Sequence, residues 1–540
     1  MTPPSSPTLP ALVRDIAVAV PDAPALVAGD IRWSYSELDA AARRAAGALA
    51  GLGVAPGGSV ALLAGNTATW TAVALGAMRV GARVDAFNTW VKAYDLEHLL
   101  ATSRCGVLVV VDRVRTADML AELRGLLPEL WSGEPGSWRS ERFPALRHVA
   151  VIGSAGGDTA IPAGAHSWDA LAAAAEPSDA LEATPEQPAY VMYTSGSTRH
   201  PKAVPLCQRD LVVNGFEIGE RMGLTAADRV WLGSPLFWSF GGANALVATW
   251  SHGACLVLQE QFAADTAAAL LAAERCTAAY LLPSIADALT GVAEQVRAVT
   301  NLRTGVTIGR PEEIARIVEE LDVPQICNIY GSTETYGNCC VTHHDAPLQL
   351  RLTTQGPPLP GVELRVVDPS GAVLPVGELG ELQVRGRVMP GYLGADGAEA
   401  NATAFTDDGW FRTGDRMRIR PDGAVEFEAR LTDMIKTSGI NVAPAEVESY
   451  LIRHPGVTEV VVVGAPHPSR GEVVVAFVTG TGLDGDTLRQ YCRDGIAGYK
   501  VPWQVVVVDE LPRTGTGKLT RKTLVEQAAD HVRAGLKEAG

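Results

Sequence analysis

The 540-residue sequence has little of several features that mark common classes of protein. Basic residues are fewer than acidic ones, and the formal net charge is −16. This charge argues against a nucleic-acid-binding protein, because such a protein needs a basic face to neutralise phosphates. Its eight cysteines show no CxxC or other metal-ligand spacing, which indicates reduced thiols. No apolar run reaches the roughly 18 residues of a membrane span, and the N-terminus lacks a signal-peptide pattern. We therefore expect a cytoplasmic protein with no nucleic-acid partner and no membrane span.

Apolar residues, by contrast, are abundant and are distributed through a long chain. They make up 47% of the sequence and charged residues 20%, a composition typical of a folded globular protein. A single domain usually has about 100 to 200 residues, so the length predicts two or more domains.

The first two hundred residues or so alternate between helix and strand patterns. A helix is predicted from Tyr35 to Leu52, where a capping box formed by Ser34 and Glu37 begins it and Gly53 ends it. The apolar stretches SVALLAG and CGVLVVVD are predicted strands. Alternation of this kind indicates α/β layers with parallel sheets.

The pattern changes in the last third of the chain. After Gly356, three short segments of alternating polarity, GVELRVVD, GELQVRG and AVEFEAR, predict a small antiparallel barrel or sheet. The final segment, 431–540, mixes strand and helix patterns and predicts an independent α+β domain.

One stretch of small and hydroxylated residues, YTSGSTRHPKAV from Tyr193 to Val204, follows a predicted buried strand. Such residues leave backbone N–H groups free to converge on an anion, and the Thr and Ser hydroxyls add donors. The stretch is not a Walker A loop, because Lys202 follows Pro201 and does not precede a closing Ser or Thr. Taken alone, a turn of this composition is a surface loop more often than a ligand site. A phosphate site here therefore depends on other motifs.

Four further motifs follow this stretch along the chain: NIYGSTE (328–334), GWFRTGD (409–415), RLTDMIKTSGINVAPAEVE (430–448) and PRTGTGKLTR (512–521). Together the five resemble the signature motifs of the adenylate-forming superfamily, which includes acyl-CoA synthetases, adenylation domains of peptide synthetases and luciferases. The resemblance implies a large N-terminal domain, 1–430, of two α/β subdomains with parallel sheets plus a small β-barrel. A small mobile α+β domain, 431–540, would follow, with a hinge near Thr432.

The resemblance implies a site for ATP. Tyr330 matches the ring that stacks on adenine, and Asn328 matches a polar reader of the base edge. Asp415 matches the carboxylate that accepts the ribose hydroxyls. Tyr330 could equally be a core aromatic of its strand, and a lone Asp is normally solvated. The implied nucleotide-binding residues are Thr194, Ser195, Gly196, Ser197, Thr198, Lys202, Gly309, Arg310, Pro311, Asn328, Ile329, Tyr330, Gly331, Ser332, Thr333, Asp415, Arg430, Asn441 and Lys518.

The implied catalytic residues are Lys518, Glu334 and Thr194. A carboxylate that attacks the α-phosphate of ATP approaches another anion, and at about 4 Å the two charges repel by roughly 4 kcal/mol at an effective dielectric of about 20. Lys518 resembles the adenylation lysine, whose ammonium lies between the carboxylate and the phosphate. Glu334 and Thr194 match the positions that hold Mg²⁺, a cation that prefers oxygen ligands.

The resemblance also implies sites for an acid and for CoA. The implied acyl-substrate residues are Trp238, Gly241, Gly242, Thr307 and Gly337. The glycines would leave room for the substrate, and the sparse charge nearby favours an apolar acid. The implied CoA tunnel is lined by Lys436, Ser438 and Gly439, which enter the site when the C-terminal domain rotates and Lys518 leaves.

Three functions are compatible with the sequence. The first is an AMP-forming acid:CoA ligase that uses ATP, Mg²⁺ and CoA. The second keeps the adenylation but transfers the acyl group to an amine or to a carrier-protein thiol. The third is a nucleotide-binding protein without catalysis, which the presence of Lys518, Glu334 and Asp415 disfavours. Arg199 and Thr432 stand where the family usually has Gly and Asp or Lys, respectively.

Overall fold

The computed structural model describes residues 3–153, 160–194, 201–299, 301–395, 397–431, 434–512 and 521–538. The chain forms two compact units. The first unit consists of Met1–Thr89, Leu99–Tyr193 and Ala203–Ala429, and the second of Trp90–His98, Thr194–Lys202 and Arg430–Gly540. Sequence analysis predicted a single boundary after residue 430 and did not predict that two short earlier segments group with the second unit.

The strands of the described residues are numbered in chain order. They are β1 (Pro24–Ala28), β2 (Ile31–Ser34), β3 (Ser59–Leu63), β4 (Arg83–Ala86), β5 (Val107–Val111), β6 (Arg113–Val114), β7 (Ala117–Asp118), β8 (His148–Ile152), β9 (His166–Ser167), β10 (Pro188–Thr194), β11 (Lys202–Cys207), β12 (Arg229–Leu232), β13 (Cys255–Leu258), β14 (Ala278–Leu281), β15 (Thr304–Thr307), β16 (Gln325–Tyr330), β17 (Cys340–Val341), β18 (Glu363–Val367), β19 (Gly380–Arg385), β20 (Phe411–Ile419), β21 (Val425–Arg430), β22 (Ile435–Thr437), β23 (Ile440–Val442), β24 (Val457–His467), β25 (Gly471–Gly480) and β26 (Gln504–Val507).

The helices of the described residues are numbered in the same way. They are α1 (Leu9–Ala19), α2 (Tyr35–Gly51), α3 (Ala68–Arg79), α4 (Ala93–Ser103), α5 (Met119–Arg124), α6 (Glu129–Ser132), α7 (Trp168–Ala174), α8 (Gln208–Met222), α9 (Leu246–Ser251), α10 (Ala264–Ala273), α11 (Pro283–Thr290), α12 (Ala293–Val299), α13 (Pro311–Glu320), α14 (Leu348–Thr353), α15 (Gly397–Ala404), α16 (Pro444–Leu451), α17 (Gly485–Gly495) and α18 (Arg521–Glu538). None of these helices has the length and apolarity that crossing a bilayer requires.

Two large, mainly parallel sheets lie in the first unit, as the alternating pattern predicted. One has the strand order β17-β16-β15-β14-β12-β13-β1-β2 and is parallel from β16 to β1, with antiparallel strands at both edges. The other has the order β11-β10-β4-β3-β5-β8-β9 and is parallel from β10 to β9. Strands such as β3 are buried along their whole length, which explains their unbroken apolar sequence.

Helix α2 confirms the predicted capping box. Ser34 Oγ accepts a hydrogen bond of 3.3 Å from the Glu37 N–H, and the Glu37 carboxylate accepts one of 2.8 Å from the Ser34 N–H. These two bonds satisfy donors that the first turn of a helix leaves without partners. Just after the helix, Gly53 has a φ of +80°, which is the backbone conformation that favours glycine.

The later segments also have the predicted type of structure. In the first unit, β18, β19, β20 and β21 lie side by side in a four-stranded sheet whose β18–β19 and β19–β20 pairs are antiparallel. Closure of this sheet into a barrel stays a prediction. The second unit has a five-stranded mixed sheet, in which β23, β22, β25 and β24 are successive neighbours and β26 pairs with β25.

Candidate active site

A buried pair of polar side chains lies at the carboxyl end of β16 in the first unit. Ligands of open parallel sheets bind at such ends, where loops from neighbouring strands converge. Tyr330 is the last residue of β16, and its hydroxyl donates a hydrogen bond of 2.7 Å to Oδ2 of Asp415 on β20. Burial, and then the Asp415 carboxylate, raise the pKa of Tyr330 well above its ordinary value, so the hydroxyl stays a donor. The structure therefore brings together two residues that lie 85 positions apart in sequence.

The side chain of Asn328 has a structural role in this conformation. It is 0% exposed, its Nδ2 donates to the carbonyl oxygen of Thr354 at 2.8 Å, and its Oδ1 accepts from the N–H of Ile329 at 3.0 Å. Both ends of the amide are therefore bonded to backbone groups. The geometry does not support the predicted reading of a base edge by this side chain.

A short 3₁₀ turn, Thr333–Thr335, places Glu334 just beyond β16. The Glu334 carboxylate accepts a hydrogen bond of 2.9 Å from the hydroxyl of Tyr392. The backbone carbonyl oxygen of Glu334 accepts one of 2.8 Å from the N–H of Met389. Both donors belong to the segment between β19 and α15. Burial, and then the Glu334 carboxylate, raise the pKa of Tyr392. Glu334 is thus held at its side chain and at its backbone.

The glycines predicted to leave room for an acyl substrate are packed against the protein's own atoms. A Cβ added at Gly241 or Gly242 would lie within 2.3 Å of a backbone carbonyl oxygen of the preceding loop. A Cβ at Gly337, which has a φ of +91°, would lie 2.2 Å from Oδ1 of Asn244. The missing side chains make room for other parts of the chain, and an acyl site beside these glycines stays a prediction.

Gly241 and Gly242 lie in a π-helical turn, Ser239–Ala245, a structure that is frequent at functional sites. The hydroxyl of Ser239 lies 3.1 Å from that of Thr333, so the turn meets the segment that includes Glu334. Trp238, just before the turn, is half-buried and packs edge-on against Phe237 with ring centroids 6.0 Å apart. The predicted acyl-substrate segment and the NIYGSTE motif are therefore neighbours.

The loop after β15 contains the remaining residues predicted for the first unit. Thr307 ends β15 and is 1% exposed, and Gly309 is half-buried. Arg310 is exposed, and its guanidinium lies 3.0 Å from the carboxylate of Glu313 on α13. Pro311 begins that helix, where the absence of an N–H costs nothing.

The stretch YTSGSTRHPKAV is described only at its two ends. Thr194 ends β10, and among the described residues its buried Oγ1 has no hydrogen-bond partner. Lys202 begins β11 and is half-buried. The predicted residues that lie outside the described ranges are Ser195, Gly196, Ser197, Thr198, Arg199, Thr432 and Lys518.

The predicted acceptor-tunnel residues form one β-hairpin of the second unit. Lys436 is exposed on β22, and Ser438 and Gly439 connect it to β23 with φ values of +49° and +84°. Two successive positive φ values are typical of the tight turns that join antiparallel strands. Asn441 is exposed on β23, and Arg430 is exposed at the end of β21.

Sequence analysis did not identify two residues that position parts of this site. One is Tyr392, and the other is Asp85, which is 0% exposed on β4 and accepts a hydrogen bond of 2.7 Å from the hydroxyl of Tyr193. Burial raises the pKa of Asp85, while Arg83 and other hydrogen-bond donors oppose that rise. A carboxylate inside the apolar strand pattern RVDAF was the available signal, since charged residues are rarely buried without a partner.

Comparison with known proteins identifies the family. The AMP-binding enzyme family matches residues 13–393, and the family of AMP-binding enzyme C-terminal domains matches residues 446–518. YngI of Bacillus subtilis strain 168, assigned as an acyl-CoA synthetase, is 32% identical over 97% of each chain.

Two solved structures are similar over nearly the whole chain. One is a double mutant of the o-succinylbenzoate CoA synthetase MenE of Bacillus subtilis, with a TM-score of 0.79 and 25% identity over 95% of this chain and 97% of that one. The other is the amide bond synthetase McbA of Marinactinospora thermotolerans, with a TM-score of 0.79 and 27% identity over 96% of this chain and 99% of that one. This chain therefore belongs to the AMP-binding enzyme family, within the adenylate-forming superfamily.

Proposed function

We propose that the chain is an AMP-forming acid:CoA ligase. In the first step, an oxygen of the acid's carboxylate attacks the α-phosphorus of ATP, the bond from that phosphorus to pyrophosphate breaks, and the products are acyl-AMP and pyrophosphate. In the second step, the sulfur of CoA attacks the acyl carbon and AMP leaves, which gives the thioester. The observation that supports this proposal most is the convergence of Tyr330, Asp415 and Glu334 around the end of β16, in a family of AMP-binding enzymes.

The nucleotide would lie at the end of β16. The ring of Tyr330 is fixed by the bond from its hydroxyl to Asp415, and it would stack on adenine. The carboxylate of Asp415 would accept hydrogen bonds from the ribose hydroxyls. Backbone and hydroxyl groups of the stretch from Thr194 to Thr198 would take the phosphates.

Glu334 and Thr194 would hold a magnesium ion. Both offer oxygen, the ligand atom that Mg²⁺ prefers, and the Oγ1 of Thr194 is a buried polar atom without a partner among the described residues. The ion, when bound, neutralises charge on the phosphates of ATP. This chain contributes the orientation of the carboxylate through the hydroxyl of Tyr392.

We expect Tyr392→Phe to lower the rate of acyl-AMP synthesis by about ten- to a hundredfold, because a hydrogen bond to a charged group contributes about 1.5–3 kcal/mol. The Mg²⁺ concentration that gives half-maximal rate should rise, because Glu334 would lose the donor that orients it. Pyrophosphate exchange measured across a Mg²⁺ series tests both expectations. A matched control is Tyr491→Phe, on α17 of the second unit, which should change neither the rate nor the Mg²⁺ dependence. A slower rate with an unchanged Mg²⁺ dependence would show that Tyr392 is only structural.

The acid is proposed to be apolar. The π-helical turn beside Glu334 is flanked by aromatic side chains: Phe240 packs edge-on against Tyr280 with centroids 5.1 Å apart, and Trp238 is half-buried before it. Apolar and aromatic walls with few polar groups suit an apolar ligand.

A second candidate is acyl transfer to an amine. The similarity to the amide bond synthetase McbA favours this alternative as much as the similarity to MenE favours CoA. Both candidates share the first step, so the acceptor has to be determined separately.

A panel of aliphatic and aryl acids tests the proposal. ATP/pyrophosphate exchange and hydroxylamine trapping are expected to reveal acyl-AMP formation with apolar acids. Each active acid is then offered CoA or an amine, and the product is identified by its mass. No exchange with any acid would favour a nucleotide-binding protein without catalysis, whereas an amide and no thioester would replace the ligase by an amide synthetase.

A further inference from the structure

Two histidines and an aspartate meet in the connection between β17 and α14 of the first unit. His343, His344 and Asp345 are consecutive, and one ligand atom from each lies within 4.8 Å of the other two. The two imidazole rings lie side by side, with centroids 4.6 Å apart. Nδ1 of His343 is also paired with the carboxylate of Asp345. We call these three side chains the His–Asp cluster, and nothing above assigns them a role.

His344 is held in place by the end of helix α8. Its backbone N–H donates a hydrogen bond of 2.8 Å to the carbonyl oxygen of Arg221. Gly223, just after the helix, has a φ of +65°, and a Cβ there would lie 2.6 Å from Nε2 of His344. The other ring nitrogen, Nδ1, is buried and has no hydrogen-bond partner among the described residues. A buried polar atom without a partner costs free energy, so a ligand for this nitrogen would be favourable.

The donor atoms of the cluster suit a divalent transition-metal ion. Imidazole nitrogens favour Zn²⁺, Cu²⁺ and Ni²⁺, and a carboxylate is a common further ligand, whereas Mg²⁺ prefers oxygen ligands alone. Zn–N bonds of about 2.0–2.1 Å place two ligands of one tetrahedral ion about 3.3 Å apart. Rotation about side-chain bonds can bring ligand atoms that lie within 4.8 Å of one another to that spacing.

The charges around the cluster act on a bound cation in both directions. Burial, and then the charge of His343, lower the pKa of His344, whereas Asp345 raises it. Arg303 and Arg351 add to the lowering, which keeps the imidazole in the neutral form that binds metals. The same two arginines repel a cation, while the negative end of the α8 dipole attracts one. We therefore expect moderate affinity for the ion.

The cluster lies away from the carboxyl end of β16. Strand β17 runs antiparallel to β16, with Cys340 opposite Tyr330. The chain then continues toward the amino end of β16, where the N–H of Thr342 donates to the carbonyl oxygen of Asn328 at 2.9 Å. An ion in the cluster would therefore be separate from the magnesium proposed for catalysis, and it would hold the segment after β17 against the end of α8.

We propose that His343, His344 and Asp345 form a binding site for a divalent transition-metal ion of the Zn²⁺ class. Three protein ligands leave at least one coordination position for water. The side chains of His343 and Asp345 are 40% and 70% exposed, so the ion can enter from solvent. On binding, the proton that His343 Nδ1 shares with the Asp345 carboxylate is released to solvent. This inference goes beyond the proposed function and does not rest on it.

Titration calorimetry of the full chain with ZnCl₂, in a buffer that contains Mg²⁺, tests the site. We expect wild-type protein to bind one more Zn²⁺ ion than the H343Q/H344Q variant, with a Kd on the order of micromolar. The D345N variant keeps both imidazoles and should bind that ion at least about tenfold more weakly. The matched control is H148Q/H166Q, which removes another close histidine pair, with ring nitrogens 3.1 Å apart, and should bind Zn²⁺ as wild type does.

Two further measurements identify the ligands and the effect of the ion. Electron paramagnetic resonance of wild-type protein loaded with Cu²⁺ should show coupling to two imidazole nitrogens, which the H343Q/H344Q variant loses. Zn²⁺ at about 100 times its Kd should raise the Tm of wild-type protein by about 3 °C and leave the Tm of that variant unchanged.

The inference is overturned if wild type and H343Q/H344Q bind the same number of Zn²⁺ ions with equal affinity. Loss of the ion in H148Q/H166Q alone would overturn it as well. If the double variant does not fold, the exposed single variant D345N decides, since an unchanged affinity for Zn²⁺ would exclude Asp345 as a ligand and with it the proposed site. None of these measurements requires acyl-AMP synthesis, so they stand apart from the test of the proposed function.

Discussion

Lys518→Ala is expected to lower the rate of acyl-AMP synthesis by about a thousandfold. Its ammonium is predicted to lie between the attacking carboxylate and the α-phosphate, whose mutual repulsion is about 4 kcal/mol at 4 Å and an effective dielectric of 20. Pyrophosphate exchange with an active acid measures this step. Thioester formation from supplied acyl-AMP should continue at close to the wild-type rate, because that step does not need the two anions to approach.

Lys436→Ala provides the reciprocal control. Lys436 is exposed on β22, in the hairpin predicted to line the acceptor tunnel, so its loss should slow the thioester step and not acyl-AMP synthesis. Arg533→Gln, at an exposed position of α18, should change neither step. An equal loss of both half-reactions in Lys518→Ala would refute the division of labour between the two lysines.

We expect Lys500→Met to lower the free energy of unfolding of the second unit more than the other substitutions proposed for that unit. Lys500 is 3% exposed, and its Nζ lies 2.7 Å from Oδ1 of Asp95 and 2.8 Å from Oε2 of Glu446, both also buried. Burial alone would lower the pKa of Lys500, but the carboxylates of Glu446 and Asp95 raise it well above its ordinary value. Removing one partner of a buried ion pair leaves uncompensated charge, at a cost of about 3–5 kcal/mol.

Urea unfolding of the full chain measures the lost free energy of unfolding. Hydrogen exchange of the β25 amides assigns that loss to the second unit. A triple variant, Lys500→Met with Glu446→Gln and Asp95→Asn, should recover at least half of the lost free energy of unfolding, because no buried charge remains. Breaking the exposed Arg533–Asp530 pair should cost less than about 1 kcal/mol. A cost equally small for Lys500→Met would show that the buried charges are solvated.

Local patterns predicted most of the fold correctly. The capping box of Ser34 and Glu37 begins α2, and the stretches SVALLAG and CGVLVVVD contain β3 and β5. Such signals can be recognised in the sequence because a helix cap and a buried parallel strand depend on residues within one short segment. The order of the strands in each sheet was not predicted, since it depends on contacts between segments far apart in the chain.

The site was only partly predictable for the same reason. Tyr330 and Asp415 were both predicted to belong to the nucleotide site. The resemblance alone could not show that their side chains are hydrogen-bonded to each other. Gly241 and Gly337 were predicted to leave room for a substrate, whereas a Cβ there would meet a carbonyl oxygen and Asn244. A sequence shows which residues lack a side chain, but it does not show which atoms of the fold occupy the space.

The sequence by itself determined the family, the types of the main elements and the positions of the residues expected to meet ATP. Those properties depend on short motifs, whose residue types follow from the chemistry of phosphates and of helix ends. Only the tertiary structure decided that Tyr392 holds Glu334 and that the side chain of Asn328 donates to the carbonyl oxygen of Thr354. Each of those contacts joins segments that lie apart in the chain, which packing fixes and local pattern does not.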